Sequence, residues 1–87
     1  MNNLLIEKML KSIREHKLIF VEMRRGNLLL TSKGIPYYIN EMEEGLYELS
    51  CDTFLLAFGK MPNFEWEDEE TFVMEDDESC LKFHFAP

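Results

Sequence analysis

Residues 17–41 read KLIFVEMRRGNLLLTSKGIPYYINE, and this stretch decides the fold class expected for the chain. Residues 17–24 and 27–32 are rich in aliphatic, β-branched and aromatic side chains, which predicts two strands joined by a turn at residues 25–27. Residues 36–41 predict a third strand, because proline is tolerated at a first strand position. Consecutive strands joined by short turns usually pair with one another, so we expect an antiparallel meander.

Two flanking segments carry the spacing of an apolar helix face. The recurrence of Leu5, Ile6, Met9, Leu10 and Ile13 predicts an amphipathic helix over residues 3–15. An apolar i, i+3, i+4, i+7 pattern predicts a second helix over residues 51–60, capped by Ser50 and ended by Gly59 and Pro62. Residues 67–74 predict a short third helix whose first turn holds four acids, which suits the helix dipole.

The remaining segments complete an α+β fold. Residues 46–50 are compatible with a fourth strand or with the first turn of a helix. Residues 80–85 alternate between apolar and polar side chains, which predicts a half-buried strand. We therefore expect one domain over residues 1–87: an N-terminal helix, an antiparallel meander of three or four strands, two helices and a C-terminal strand.

Charge is distributed very unevenly along the chain. The net charge is −8, yet residues 1–34 are net positive and the acids concentrate after residue 40, with nine of them within residues 65–78. Such a field repels nucleic acids and anionic membranes and attracts cationic surfaces. We expect no direct nucleic-acid or membrane binding, a basic protein surface as partner, and a cytoplasmic location, because a charge interrupts the first apolar run.

Little in the sequence indicates catalysis or a cofactor. His16, His84, Cys51 and Cys80 are accompanied by no glycine elbow or phosphate-binding loop, so we expect no enzyme activity and no cofactor. The cysteine spacing matches no common zinc motif, and free thiols are favoured over a disulfide in a reducing cytosol. The acidic run lacks the spacing and glycine of a calcium-binding EF-hand loop, so we expect no specific metal site.

The acidic run is instead a candidate recognition surface. Phe64, Trp66 and Phe72 are interleaved with its carboxylates, and an exposed tryptophan would suit an interface anchor. Carboxylates pair with arginine in the bidentate geometry that arginine also uses on phosphate and on guanine. The candidate partner-binding residues are Glu65, Trp66, Glu67, Asp68, Glu69 and Glu70.

Residues 54–58 (FLLAF) and 63–72 (NFEWEDEETF), with the loop between them, resemble the end of a small family of phage anti-CRISPR proteins. Members of that family inhibit type II-A Cas9 nucleases by mimicking the protospacer-adjacent-motif DNA. The resemblance implies that Asp68 and Glu69 face the arginines that read the motif guanines of guide-RNA-loaded Cas9, with Trp66 as a neighbouring contact. It also implies a helix, three strands and two helices, in agreement with the expectation above.

The sequence departs from this family at two places. The turn between the second and third expected strands, residues 33–36, contains Lys33 where the family has acids, and the first hairpin carries Arg24 and Arg25. Two alternatives remain open. The first is an immunity or antitoxin-type protein whose acidic surface plugs a basic site on a toxin. The second is a phage accessory domain whose acidic face only keeps it soluble.

Overall fold

A computed structural model describes residues 3–34, 36–59 and 61–87. Within these residues the chain forms one helix and eight strands. The elements are α1 Asn3–Arg14, β1 Leu18–Arg25, β2 Leu28–Lys33, β3 Tyr38–Glu43, β4 Leu46–Ser50, β5 Leu55–Gly59, β6 Asn63–Trp66, β7 Thr71–Glu75 and β8 Ser79–Phe85.

The N-terminal helix was predicted correctly. Its buried side chains are Ile6, Met9, Leu10 and Ile13. The helix ends because the backbone of His16 takes a positive φ of 61°. The N–H groups of His16 and Lys17 then donate to the carbonyls of Ile13 and Ser12 at 2.9 and 3.0 Å. These are the two hydrogen bonds of a Schellman C-cap, with histidine at the position that glycine usually takes.

Two antiparallel sheets replace the single expected meander. The five-stranded sheet has the order β2-β1-β8-β7-β6, and the three-stranded sheet has the order β3-β4-β5. The β1–β2 hairpin and the C-terminal strand β8 confirm the predictions for these segments, and residues 46–50 are a strand. The meander prediction was wrong beyond β2, because β3 pairs with β4 in the second sheet rather than with β2.

The α+β expectation was wrong, since both C-terminal helices are absent from the described residues. Residues 55–59 form β5, which pairs with β4. Residues 67–70 are a turn and Thr71–Glu75 form β7, a strand between β6 and β8. The protein is therefore mostly β.

The core lies between α1 and the facing sides of the two sheets. Leu49 and Phe58 of the small sheet share one cluster with Phe72 and Phe83 of the large sheet and with the helix residues. The rings of Phe58 and Phe83 lie 5.5 Å apart and join the sheets directly. The opposite side of the large sheet, called here the outer face, carries Glu22, Lys82 and His84, which are partly exposed.

Candidate functional site

The candidate site occupies the β6–β7 hairpin at one edge of the large sheet. Glu65 and Trp66 lie on β6, and Glu67, Asp68, Glu69 and Glu70 form the turn that leads into β7. The alternation of a strand sends neighbouring side chains to opposite faces. Glu65 is accordingly exposed on the outer face, whereas Trp66 turns toward the core.

Trp66 is a packing residue and does not protrude from the surface. Its ring lies 5.2 Å from that of Phe72 and 5.5 Å from that of Phe85. Its Nε1–H donates to the carbonyl oxygen of Leu5 at 3.2 Å, and the Lys8 ammonium lies 4.1 Å from its ring centroid. The expectation of an exposed aromatic anchor was therefore wrong, because the tryptophan closes the seam between α1 and the sheet.

Asp68 holds the β6–β7 turn together. Its Oδ1 accepts the backbone N–H of Glu70 at 2.8 Å, and the N–H of Glu67 donates to the carbonyl of Thr71 at 2.9 Å. The Glu70 N–H donates to the charged form of the carboxyl and lowers the pKa of Asp68, with help from Thr71. The turn is tied to the sheet by the N–H of Phe85, which donates to the Glu70 carbonyl at 2.8 Å.

A second acidic turn joins β7 to β8. Asp76 Oδ1 accepts the N–H groups of Glu78 and Ser79 at 2.8 and 2.7 Å. These hydrogen bonds lower the pKa of Asp76, and the charge of Arg25 adds to the effect. The two turns lie at opposite ends of β7, whose five residues span about 17 Å. The acidic run therefore occupies two turns at opposite ends of β7, with Glu65 and Glu75 on the outer face between them, and not a single helix end; these carboxylates are called here the row.

The carboxylates of this row differ in what they contact. Glu67 pairs with Lys82 at 3.5 Å and Glu78 pairs with Arg25 at 3.6 Å. Five further carboxylates of the row are exposed and make no ion pair within the described part of the chain. They are Glu65, Glu69, Glu70, Glu75 and Asp77.

Sequence reasoning missed Glu75 and Asp77 as members of the surface. Glu65 lies opposite Val73 in the β6–β7 register, so Glu75 is its diagonal neighbour on the same outer face. The helix expected over residues 67–74 hid this relationship, because it separated the two halves of the acidic run. The continuation of the run to Glu78 was the available signal.

The outer face also holds a histidine–carboxylate contact. His84 Nε2 lies 2.6 Å from Glu22 Oε1, and its ring stacks on Phe20 with centroids 4.2 Å apart. Cys80 and Lys82 precede His84 on the same face of β8. Burial raises the pKa of the Cys80 thiol, and the charge of Glu75 raises it further, so the thiol is held in its unreactive protonated form.

Metal-ligating side chains are dispersed. Among residues 3–34, 36–59 and 61–87, no group of three or more His, Cys, Asp or Glu side chains is arranged to hold a metal ion. Both cysteines are free thiols. No helix in the described ranges is long and apolar enough to cross a membrane.

Comparisons with known protein families, with curated proteins and with solved structures find no match. The two helices that the anti-CRISPR resemblance implies after the third strand are absent from the described residues, which form strands and a turn there. Asp68 and Glu69, which that resemblance assigns to the partner's arginines, lie in the turn, where the Asp68 carboxylate accepts the backbone N–H of Glu70.

Proposed function

We propose that this protein is a non-enzymatic inhibitor that binds a basic, DNA-reading protein surface through its β6–β7 hairpin, with a guide-RNA-loaded Cas9-type nuclease as the candidate target. The observation that carries the proposal is a set of five exposed carboxylates that form no ion pair within the described residues: Glu65, Glu69, Glu70, Glu75 and Asp77. The protein would act in the cytoplasm of the cell that holds the nuclease.

The spacing of the carboxylates supports a nucleic-acid-like surface. The two acidic turns are separated by β7, whose length of about 17 Å corresponds to about five base steps at 3.4 Å per step of one DNA strand. Arginines that grip phosphates or guanines can grip carboxylates in the same bidentate geometry. Long-range attraction between the two charged surfaces would speed association and fix the orientation of the complex.

The roles within the hairpin follow from its contacts. Glu69 and Glu70 have exposed carboxylates at the tip, and they are the best placed to meet partner arginines. Asp68 would position them, because its carboxylate shapes the turn. Trp66 would stabilise the hairpin from the core side rather than contact the partner.

Charge reversal at the tip tests the proposal. In the variant with Glu69→Lys and Glu70→Lys, inhibition of DNA cleavage by guide-loaded Cas9 should fall at least about tenfold, since each lost charged contact costs about 1–3 kcal/mol. The matched control is Glu43→Lys with Glu44→Lys, which changes the same charge at the β3–β4 turn of the other sheet. This control should inhibit like the wild type at equal ionic strength.

Binding measurements test separately whether Cas9 is the target and whether the acidic hairpin is the binding surface. A duplex that contains the protospacer-adjacent motif should compete with the protein for guide-loaded Cas9, and added salt should weaken the complex steeply. Unchanged inhibition by the tip variant, with a normal melting curve, would refute the assigned surface. Absence of any binding to Cas9, alongside tight binding to a basic toxin nuclease, would support the immunity-type alternative instead.

A further inference from the structure

The opposite edge of the large sheet, β2, is unprotected except at its end near Lys33. β2 is the terminal strand of the sheet, and no strand of the described residues pairs with its outer side. Its three leucines are largely exposed: Leu28 to 72%, Leu29 to 51% and Leu30 to 60%. Natural edge strands are usually shielded by prolines, bulges, charges or covering loops. The register with β1 has no bulge, and Lys33 is the only charge in β2.

The hairpin turn fixes which backbone groups of β2 point outward. Arg25 pairs with Leu28 across Gly26 and Asn27, and the positive φ of Gly26 fits a type II′ turn. In such a turn the N–H of the last residue donates to the carbonyl of the first, so Leu28 directs its backbone toward β1. The direction of the backbone N–H and C=O groups alternates from residue to residue along an antiparallel strand. The backbone groups of Leu29, Thr31 and Lys33 therefore point toward the free edge.

One hydrogen bond agrees with this alternation. The Lys33 carbonyl accepts the hydroxyl of Thr53 at 2.9 Å, from a loop outside the β1–β2 ladder. The loop therefore covers the end of the edge at Lys33 and leaves the backbone groups of Leu29 and Thr31 available. An extended chain is the ligand that satisfies alternating outward N–H and C=O groups.

Charge identifies the kind of chain that fits. Arg24 and Lys33 are exposed and form no ion pair within the described residues, and Arg25 is 69% exposed beside its partner Glu78. Two copies joined through β2 would bring the cations of both copies together, which disfavours self-pairing. An incoming strand that carries carboxylates would neutralise them.

We infer that β2 is a docking edge for an extended segment of a second protein in which apolar residues alternate with acidic ones. The apolar side chains pack beside the exposed leucines, and the carboxylates approach Arg24 and Lys33. This edge is separated from the acidic edge at β6 by four strand spacings, or about 19 Å. The protein can thus hold an acidic strand on one edge and a basic surface on the other.

A pair of synthetic peptides tests the inference. The first is a fluorescein-labelled peptide of about eight residues in which valine alternates with glutamate, and the second has lysine in place of glutamate. Fluorescence anisotropy with the full chain should show binding of the glutamate peptide at least about tenfold tighter than that of the lysine peptide. Equal binding of both peptides, or no binding of the glutamate peptide, would overturn the inference.

Amide hydrogen exchange locates the bound peptide. The glutamate peptide should slow exchange at Leu29 and Thr31 and leave Leu28 and Leu30 unchanged, because the latter two already bond to β1. A change spread over both sets, or one confined to the β6–β7 hairpin, would exclude strand addition at β2.

Variants separate charge from backbone pairing. Arg24→Glu with Lys33→Glu should weaken the glutamate peptide at least about tenfold, and Lys11→Glu with Arg14→Glu on the exposed side of α1 should leave its affinity unchanged. Thr31→Pro removes one outward N–H and should also weaken the peptide. If Thr31→Pro fails to fold, the charge variant and hydrogen exchange still decide the question. A dimer in sedimentation that Leu30→Lys abolishes would instead assign the edge to a second copy.

Discussion

The indole N–H of Trp66 donates to the backbone carbonyl of Leu5 at 3.2 Å, across 61 positions of the chain. This contact joins the strand that begins the acidic hairpin to the N-terminal helix. Lys8 covers the ring from the same helix at 4.1 Å. The exposed, mutually repelling carboxylates of the turn thus directly follow a residue that is fixed to the core, because Trp66 is the last residue of β6.

We expect Trp66→Phe to destabilise the protein by about 1–2 kcal/mol, because it removes the hydrogen bond to Leu5 and part of the ring packing. Urea denaturation followed by circular dichroism measures this change. The neighbouring variant Glu65→Gln should stay within about 0.5 kcal/mol of the wild type, since this side chain is exposed. Equal stability of Trp66→Phe and wild type would contradict the structural role.

Acid should remove the contribution of Asp76 to stability. Its pKa is lowered in the folded state by the N–H groups of Glu78 and Ser79, so the contribution is present above the unfolded pKa of about 3.9 and is lost as pH falls through the lower folded value. Asp76→Ala should therefore melt below the wild type at pH 7, and the gap should close toward pH 2.

The adjacent residue gives the control for this titration. Asp77→Ala removes a carboxylate from the same turn but leaves both hydrogen bonds of Asp76 in place. Its melting temperature should stay near that of the wild type throughout the titration. A gap for Asp76→Ala that persists unchanged at pH 2 would show that ionised Asp76 does not cap the turn.

Alkaline pH should act through Tyr37. Its side chain is buried, its hydroxyl donates to the Ser32 carbonyl at 3.1 Å, and burial raises the pKa of the phenol. The raised pKa stabilises the fold below the unfolded value of about 10, and this stabilisation is lost as pH rises through the folded value. Tyr37→Phe should cost about 1 kcal/mol at pH 7, and it should lose less stability than the wild type above pH 10. Parallel loss in both proteins would refute this role.

His84 and Glu22 should be energetically coupled. Their side chains are 25% and 30% exposed, and their atoms approach to 2.6 Å. A double-mutant cycle with His84→Ala and Glu22→Ala should give a coupling free energy of about 0.5–1.5 kcal/mol at pH 7. The pair Lys17 and Glu15, which are 49% and 43% exposed at 3.3 Å, is the matched exposed control and should give less than about 0.5 kcal/mol.

The sequence predicted secondary structure correctly where the spacing of apolar residues fitted either a helix or a strand, but not both. The apolar residues of α1 fit a helical period and not an alternating one, and the helix runs over Asn3–Arg14. Residues 80–85 alternate strictly, and they lie within β8. The turn expected at residues 25–27 joins the first hairpin, and Gly26 within it takes the positive φ that such a turn needs.

The prediction of the second helix was wrong because the apolar residues within 54–58 fit both the helical spacing and the alternating spacing of a strand. Phe54 and Phe58 are compatible with a helix face, yet Phe54, Leu56 and Phe58 are also the inward set of an alternating strand. A short apolar run of this kind cannot be assigned by spacing alone. Pairing with β4 decided it, since Leu56 lies opposite Leu49 in the register.

The prediction of a third helix over residues 67–74 was wrong for a different reason. Phe72, Val73 and Met74 are all buried although they are consecutive, because β7 is an interior strand: Phe72 and Met74 face the core, and Val73 lies on the outer face between the neighbouring strands β6 and β8. The acids before them were interpreted as a helix N-terminus, but Asp68 and Glu70 form a turn that turns the chain back into the sheet. Only the neighbouring strands reveal that environment.

The sequence by itself determined the charge asymmetry, the N-terminal helix, the first hairpin and the final strand, because each depends on residues close together in the chain. The tertiary structure decided that Trp66 packs inward and that the acids lie around β6 and β7 on one side of the large sheet, with the exposed strand β2 at the opposite edge. These outcomes depend on which strands pair across long separations. Pairing exchanges backbone hydrogen bonds between segments whose own sequences do not specify their partners.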